Sequence, residues 1–311
     1  NTGLTTLRPN GQAGTPVRIL GPMPLRDQRL AFLGGGTMAE AMIRGLLERG
    51  LAVPANVRVT GPRAERRAEL ERSFGVRALA VNREAAAGAD VVVLSVKPQV
   101  LPTVMGELAG ALGADQLVIS IVAGVPLKVL DAGLKHHAIV RAMPNTPAQV
   151  GRGMTVWCAT PSVTGEQRER TRAILGALGD ELGVDDEDLV DMATAVSGTG
   201  PTYVFLLMEA LVDAAVHLGF SRRVAEQLVL QTVEGSAHFA RQSGRHLAEL
   251  RNQVTSPGGT SAAAIYQLEK GALRTVLSKA VYAAYERTRA LGEAAQRRLK
   301  GNDGGHRDDD D

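Results

Sequence analysis

Two glycine-bearing segments carry most of the chemistry open to this sequence. The first, Phe32-Leu33-Gly34-Gly35-Gly36-Thr37-Met38-Ala39, fits G-x-G-x-x-A between an apolar run and a helix-period stretch. In that pattern Gly34 makes a tight turn, Gly36 lets the backbone approach a pyrophosphate, and the small Ala39 lets helix and strand pack closely. The helix N-terminus adds unpaired N–H groups and a partial positive charge. A plain glycine turn is the bland alternative; the strand–turn–helix context favours a dinucleotide. The second segment is Val254-Thr255-Ser256-Pro257-Gly258-Gly259-Thr260-Ser261, again leading into a helix. Successive N–H groups at such a turn form a nest for a small carboxylate, although a simple helix cap uses the same Ser and Thr. A related segment, Ser197-Gly198-Thr199-Gly200-Pro201-Thr202-Tyr203, opens a long helix with Pro201 near its first position.

The end of the second strand chooses between NAD and NADP. An acid about 20 residues after the glycines grips a ribose diol in NAD sites. Here the chain reads Val59-Thr60-Gly61-Pro62-Arg63, with Arg66 and Arg67 following and no acid at the strand end. A guanidinium fork at Arg63 suits a 2′-phosphate, so NADPH is favoured with NADH as the alternative; the bland reading makes these arginines a solvated helix face. Two further loops follow strands and so reach the carboxyl edge of the sheet. In Val96-Lys97-Pro98-Gln99, Lys97 either touches the cofactor or is a surface lysine. In Met143-Pro144-Asn145-Thr146-Pro147, Asn145 either orients a neighbour or caps the turn.

Short, nearly all-apolar strands alternate with helices to position these loops. Leu30–Leu33, Val57–Val59, Val91–Leu94, Leu117–Ile119, Ala138–Val140 and Met154–Trp157 read as strands, with helices such as Arg63–Phe74 and Pro126–Leu134 between them. Such strands belong to a mainly parallel sheet covered on both faces. From about Asp185 long helical periodicities take over, among them Tyr203, Leu206, Leu207, Ala210, Leu211 and Ala214. The expected class is an α/β Rossmann-like N-terminal domain with an all-α C-terminal domain. The expected divisions are a disordered lead-in over 1–28, a dinucleotide-binding domain over 29–185, a helical domain over 186–292 and an acidic disordered tail over 293–311.

Composition narrows the function classes. Lys and Arg number 35 against 33 Asp and Glu, a net +2 that does not make a polycation for phosphate backbones. Aromatics at 3% leave few rings for base stacking, so no nucleic-acid partner is expected. The single Cys158 cannot form an intrachain disulfide, and no Cys–His zinc spacing exists. Pro201–Phe220 is apolar but carries Glu209 and Asp213, which argues against a membrane span. The expectation is a cytoplasmic protein without metal.

Taken in order, GGGTMA, SVKPQ, RAMPNTPAQVG, SGTGPTYVF and TSPGGTSAAAIYQLEKG closely resemble pyrroline-5-carboxylate reductases from Arg29 to Leu291. MPNTP and SPGGT are far more specific than the glycine loop. The resemblance implies NAD(P)H-dependent reduction of 1-pyrroline-5-carboxylate to L-proline, the last step of proline synthesis. It also implies a helical dimerisation domain and a homodimer, often assembled into a decamer. Carried over by position, cofactor contacts fall on Leu33, Gly34, Gly35, Gly36, Thr37 and Met38, on Gly61 and Asn82, and on Val96, Lys97 and Ala123. Substrate contacts fall on Gly259, Thr260, Ser261 and Glu187, with Ser261 as the catalytic hydroxyl. The family's usual Thr-Thr or Ala-Thr is Thr260-Ser261 here, which keeps the hydroxyl without its methyl.

Overall fold

The computed structural model describes residues 25–302, with side chains to residue 297. Eight strands form one sheet: β1 (Leu30–Leu33), β2 (Val57–Thr60), β3 (Arg77–Leu79), β4 (Val91–Leu94), β5 (Leu117–Ser120), β6 (Ile139–Met143), β7 (Gly153–Ala159) and β8 (Gly179–Gly183). Their order is β3-β2-β1-β4-β5-β6-β7-β8. Every pairing is parallel except β6 with β7, which is antiparallel with Arg141 opposite Cys158. The first six strands have the doubly wound order, whose ligand crevice opens where the winding reverses, between β1 and β4. β1, β4 and β5 are buried at every residue. Two separate apolar clusters, one holding Phe32, Met42 and Trp157 and the other Leu33, Leu94 and Leu130, cover the two faces.

The helices of this half are α1 (Thr37–Glu48), α2 (Ala64–Phe74), α3 (Asn82–Ala86), α4 (Leu101–Leu108), α5 (Leu127–Leu134) and α6 (Gly165–Gly176). α1 buries Ala39, Met42, Ile43 and Leu46 on one face, the spacing its sequence dictates. α6 begins with a reciprocal cap in which Thr164 and Gln167 each bond the other's backbone N–H. Two strands escape the apolar reading. β3 is three residues long with Arg77 exposed, and β8, Gly-Asp-Glu-Leu-Gly, is a polar edge strand. Edges are where short and charged strands are tolerated.

The helical half comprises α7 (Asp188–Ala193), a π-helical turn at Thr194–Gly198, α8 (Gly200–His217), α9 (Arg222–Ser243), α10 (Leu247–Gln253), α11 (Thr260–Lys270) and α12 (Leu273–Asn302). Its own described apolar cluster is small, built on Val212, Ala225 and Val229. Phe205, Leu206, Leu211, Val276, Leu277 and Tyr282 are exposed in the single chain. The run Asp188–His217 is long and apolar enough by length and composition to cross a membrane, with 11% of its apolar window buried. An unburied apolar stripe of this size marks a surface that something must cover.

Both expected disordered ends need correction where they enter the described residues. Residues 1–24 and 303–311 lie outside them. Leu25 is fully buried in the first apolar cluster, and Arg26 O accepts from Asn56 Nδ2 at 3.1 Å, so 25–28 belong to the folded domain. At the other end, 293–302 continue α12. Ala295 packs on the second apolar cluster, and that contact gives the helix reason to persist past Gly292.

Candidate active site

The loop from β1 to α1 shows why its glycines are required. Gly34 has φ +109°, and a Cβ there would lie 2.7 Å from Ser95 O. Ser95 closes the turn from the β4 side, its Oγ donating to Gly34 O at 2.8 Å and to Leu33 O at 3.1 Å. A Cβ on Gly35 would meet Leu70 Cδ1 at 2.7 Å, whereas one on Gly36 would meet nothing within 4 Å. Gly36 therefore borders open space, and it precedes α1 with no side chain capping the first-turn N–H groups. That combination fits a pyrophosphate: a cradle that side chains would fill, beneath a helix N-terminus.

The second strand supports the loop through its own end. Gly34 N donates to Thr60 Oγ1 at 3.1 Å, Thr60 Oγ1 donates to Asn82 Oδ1 at 2.6 Å, and Asn82 Nδ2 donates to Glu107 Oε2 at 2.8 Å. The Asn82 amide is thus occupied in holding Thr60 under the loop. Gly61 lies at the open end of β2, where a Cβ would meet nothing within 4 Å. Of the three arginines beyond it, Arg66 pairs with Glu40 and Glu69 and donates Nε to Gly35 O, and Arg67 donates to Gly61 O and Pro62 O. Arg63 is exposed, and its guanidinium makes no hydrogen bond or ion pair among the described residues. It shares a shallow hollow of about 280 Å³ with Glu65, Arg66, Glu69 and Arg72.

The remaining carboxyl-edge loops line the far side of the crevice. Val96 is half-buried and Lys97 exposed, following β4. Ala123 follows β5 and, with Pro98, Gln99, Leu291 and Ala295, lines a cleft of about 260 Å³ between the sheet edge and α12. Asn145 resolves in favour of orienting neighbours. Its Nδ2 donates to Ser197 O at 3.0 Å and its Oδ1 accepts from Met154 N at 2.9 Å, tying the Pro-rich loop to the π-helical turn.

At the head of α11, Gly258 has φ +72°, and Gly259 N donates to Ser256 O at 3.0 Å. The Gly259 N–H is therefore committed to the turn itself. The N–H groups of Thr260 and Ser261 find no backbone acceptor among the described residues and point out of the first turn, as those of any helix start do. Thr260 is exposed and Ser261 half-buried.

Glu187 is held by a buried arginine and a backbone N–H. Its Oε1 accepts from Arg141 Nη1 at 2.8 Å and from Leu127 N at 2.7 Å, while Arg141 Nη2 also pairs with Asp191. Arg141 sits in β6 with its side chain 3% exposed. Burial opposes its charge, but Asp191 and Glu187 outweigh that and hold its pKa above the ordinary value. Behind it, burial and then the Glu187 charge push the Cys158 thiol up to about 12, so it is no nucleophile at neutral pH. Arg141 and Asp191 were missed in the sequence, although a charge inside Ile139-Val140-Arg141-Ala142 demands a buried partner. Arg141→Met should leave two facing carboxylates and cost about 3 kcal/mol, the lower end for a broken buried pair because both acids reach solvent. Urea unfolding reads this; a midpoint equal to wild type would contradict it.

A family model described as pyrroline-5-carboxylate reductase dimerisation matches residues 187–291, and one described as NADP oxidoreductase, coenzyme F420-dependent, matches 29–124. A pyrroline-5-carboxylate reductase of Synechocystis sp. is 44% identical over 266 residues, covering 85% of this chain and 98% of the relative. The chain belongs to the pyrroline-5-carboxylate reductase family. The reductase of Pseudomonas aeruginosa is also 44% identical, over 85% of this chain and 97% of its own. Among solved structures, the Plasmodium falciparum pyrroline carboxylate reductase with NADP bound has a TM-score of 0.79 at 32% identity, covering 86% of this chain and 99% of that one. The Coxiella burnetii reductase has a TM-score of 0.79 at 39% identity, covering 85% and 98%. The chain is accordingly an oxidoreductase of this family, which reduces 1-pyrroline-5-carboxylate to L-proline.

Proposed function

We propose that hydride transfer takes place between a dinucleotide held by Gly34–Met38 and an imine whose carboxylate rests on the α11 nest. The observation that carries this reading is the pairing, in one chain, of an open pyrophosphate cradle at Gly36 with free N–H groups at Thr260 and Ser261. Gly35, Gly36, Thr37 and Met38 present backbone N–H to the diphosphate; Leu33, Gly61, Asn82, Val96, Lys97 and Ala123 border the rest of the dinucleotide. NADPH supplies the hydride, as the NADP-bound relative from Plasmodium supports. No protein acid–base pair is needed, because a protonated cyclic imine is already electrophilic and the hydride adds to carbon. Thr260 and Ser261 N–H groups hold the carboxylate, and the Ser261 hydroxyl meets the ring nitrogen as it becomes an amine. The protein's work is proximity and orientation. The resemblance places Glu187 beside the substrate as well, where it would act while Arg141 and Leu127 N–H hold its Oε1.

A substrate panel tests the reading: pyrroline-5-carboxylate, its six-membered-ring homologue and 2-keto acids are offered with NADPH. Stoichiometric proline from the five-membered imine, at a kcat/KM well above the others, is expected. Faster turnover of a keto acid would replace the reading with a hydroxy-acid reductase on the same plan.

The exposed stripe of Phe205, Leu206, Leu211, Val276 and Tyr282 is the surface a second copy covers, in keeping with the matched dimerisation domain. Burying each such side chain contributes about 1.5–3 kcal/mol, enough in sum to hold a dimer at micromolar concentration. Light scattering should therefore show at least a dimer, and a stable active monomer would contradict it. The resemblance extends this to assemblies of dimers, a decamer among them. A cytoplasmic setting accords with one cysteine that is buried.

A further inference from the structure

The loop that joins β5 to α5 is held from outside its own domain at two points. At its end, Leu127 is the first residue of α5, and its N–H donates to Glu187 Oε1 at 2.7 Å. Glu187 immediately precedes α7, the first helix of the helical half, and is itself fixed by Arg141 of β6. In the middle of the loop, Gly124 has φ +72°, and a Cβ there would meet Leu291 Cβ at 3.0 Å; a Cβ on Gly292 would meet Gly124 O at the same distance. The first and last helices of the helical half therefore grip this one loop. Ala123, on the crevice side, lies beside the upper grip point.

We infer that Glu187 is a positioning residue: through Leu127 N–H it sets the β5–α5 loop, and with it the Ala123 wall of the crevice, for the cofactor. The inference rests on the reading that Ala123 borders the dinucleotide. The mechanism is geometric. N–H groups at the start of a helix have no intrahelical acceptor, and the other described hydrogen bonds of this turn, Val129 N and Leu130 N to Pro126 O, leave Leu127 N to Glu187 alone. A charged acceptor held by a buried arginine is stiff, so the α5 end of the loop takes its place from Glu187, while Ile121 N–H ties its start to Leu94 O of the sheet. Asp191 holds the same guanidinium from one turn further along α7.

The test removes the hydrogen bond and nothing else of the network. Leu127→Pro deletes the N–H at a first-turn position where proline is accepted, behind Pro126, whose φ −67° and ψ 153° already suit a following proline. Leu127→Ala loses the same side chain but keeps the N–H. Both are compared by NADPH titration, by kcat and KM, and by thermal melting. The expected result is a KM for NADPH about tenfold higher in the proline variant than in the alanine variant, the scale of one charged hydrogen bond, at similar melting temperatures. Equal NADPH affinity and kcat in the two folded variants would overturn the inference. If the proline variant does not fold, Glu187→Gln, which keeps an amide oxygen for Leu127 N–H, should retain NADPH affinity that Glu187→Ala loses; equal losses would overturn it as well. Gly36→Val separates the two levels. If it abolishes NADPH binding while the Leu127 pair agree, only the present inference fails. If it binds NADPH normally, the cofactor site itself is misplaced.

Discussion

Ser261→Ala is expected to lower kcat by roughly ten- to hundredfold, with a much smaller change in the KM for NADPH. The hydroxyl stands on the first turn of α11, beside the free N–H groups that would hold the substrate carboxylate. A hydrogen bond to a ring nitrogen strengthens as the planar imine becomes a tetrahedral amine, so its loss falls mainly on the transition state. Losing a bond of that kind costs about 1.4–3 kcal/mol, which at about 1.4 kcal/mol per decade gives the stated range. Ser261→Thr restores the family's residue and should recover the rate. Steady-state kinetics of the two variants check this. Unchanged turnover in the alanine variant would reduce Ser261 to a helix-start residue.

Arg63→Ala is expected to erode a preference for NADPH over NADH by about tenfold or more, while leaving NADH turnover in place. Three arginines follow β2, and the structure divides them. Arg66 and Arg67 are tied to Glu40, Glu69 and loop carbonyls, which leaves the exposed Arg63 as the guanidinium free to turn toward a 2′-phosphate. A charge-assisted bond at such a site contributes about 1.5–3 kcal/mol, discounted toward the lower figure because solvent screens an exposed pair. Glu65 and Glu69 share the hollow and oppose the phosphate, which also favours the lower figure. Comparison of kcat/KM for both coenzymes in wild type and variant reads the effect. Equal use of NADH by the wild type, or an unchanged ratio in the variant, would make Arg63 a solvated helix residue.

What could be read in the sequence follows a physical line. Apolar strands β1, β4 and β5 announced themselves because both faces of a parallel sheet are buried, and the glycine loop did so because Gly34 sits at φ +109°, a conformation that favours glycine. The short β3 and polar β8 did not, since an edge strand needs no apolar pattern. α12 was cut at Gly292, yet that glycine lies where the helix passes closest to Gly124, and the helix runs on to Asn302. A glycine in a helical pattern can mark close approach as well as an end. Glu187 was carried over as a substrate residue by position along the chain. Its hydrogen-bond partners within the chain, Arg141 and Leu127 N–H, are 46 and 60 residues away, a distance that no local pattern spans. The buried arginine was the available clue, because a charge inside an apolar strand requires a partner of opposite sign.

The Asn145 amide and the Thr60–Asn82 pair show a further limit. Each spends its side chain holding backbone in place, Asn145 between Met154 and Ser197 and Thr60 under Gly34. Such supports share residue types with binding groups, and only their partners tell the two apart.

The most direct test of the account is a crystal structure of the protein with NADP⁺ and L-proline bound together. The account predicts the diphosphate over Gly36 and the start of α1, and the proline carboxylate on Thr260 and Ser261 N–H. It also predicts the ring carbon that receives hydride about 3–3.5 Å from the nicotinamide, the separation at which transfer is productive. A carboxylate held away from the α11 nest would contradict it.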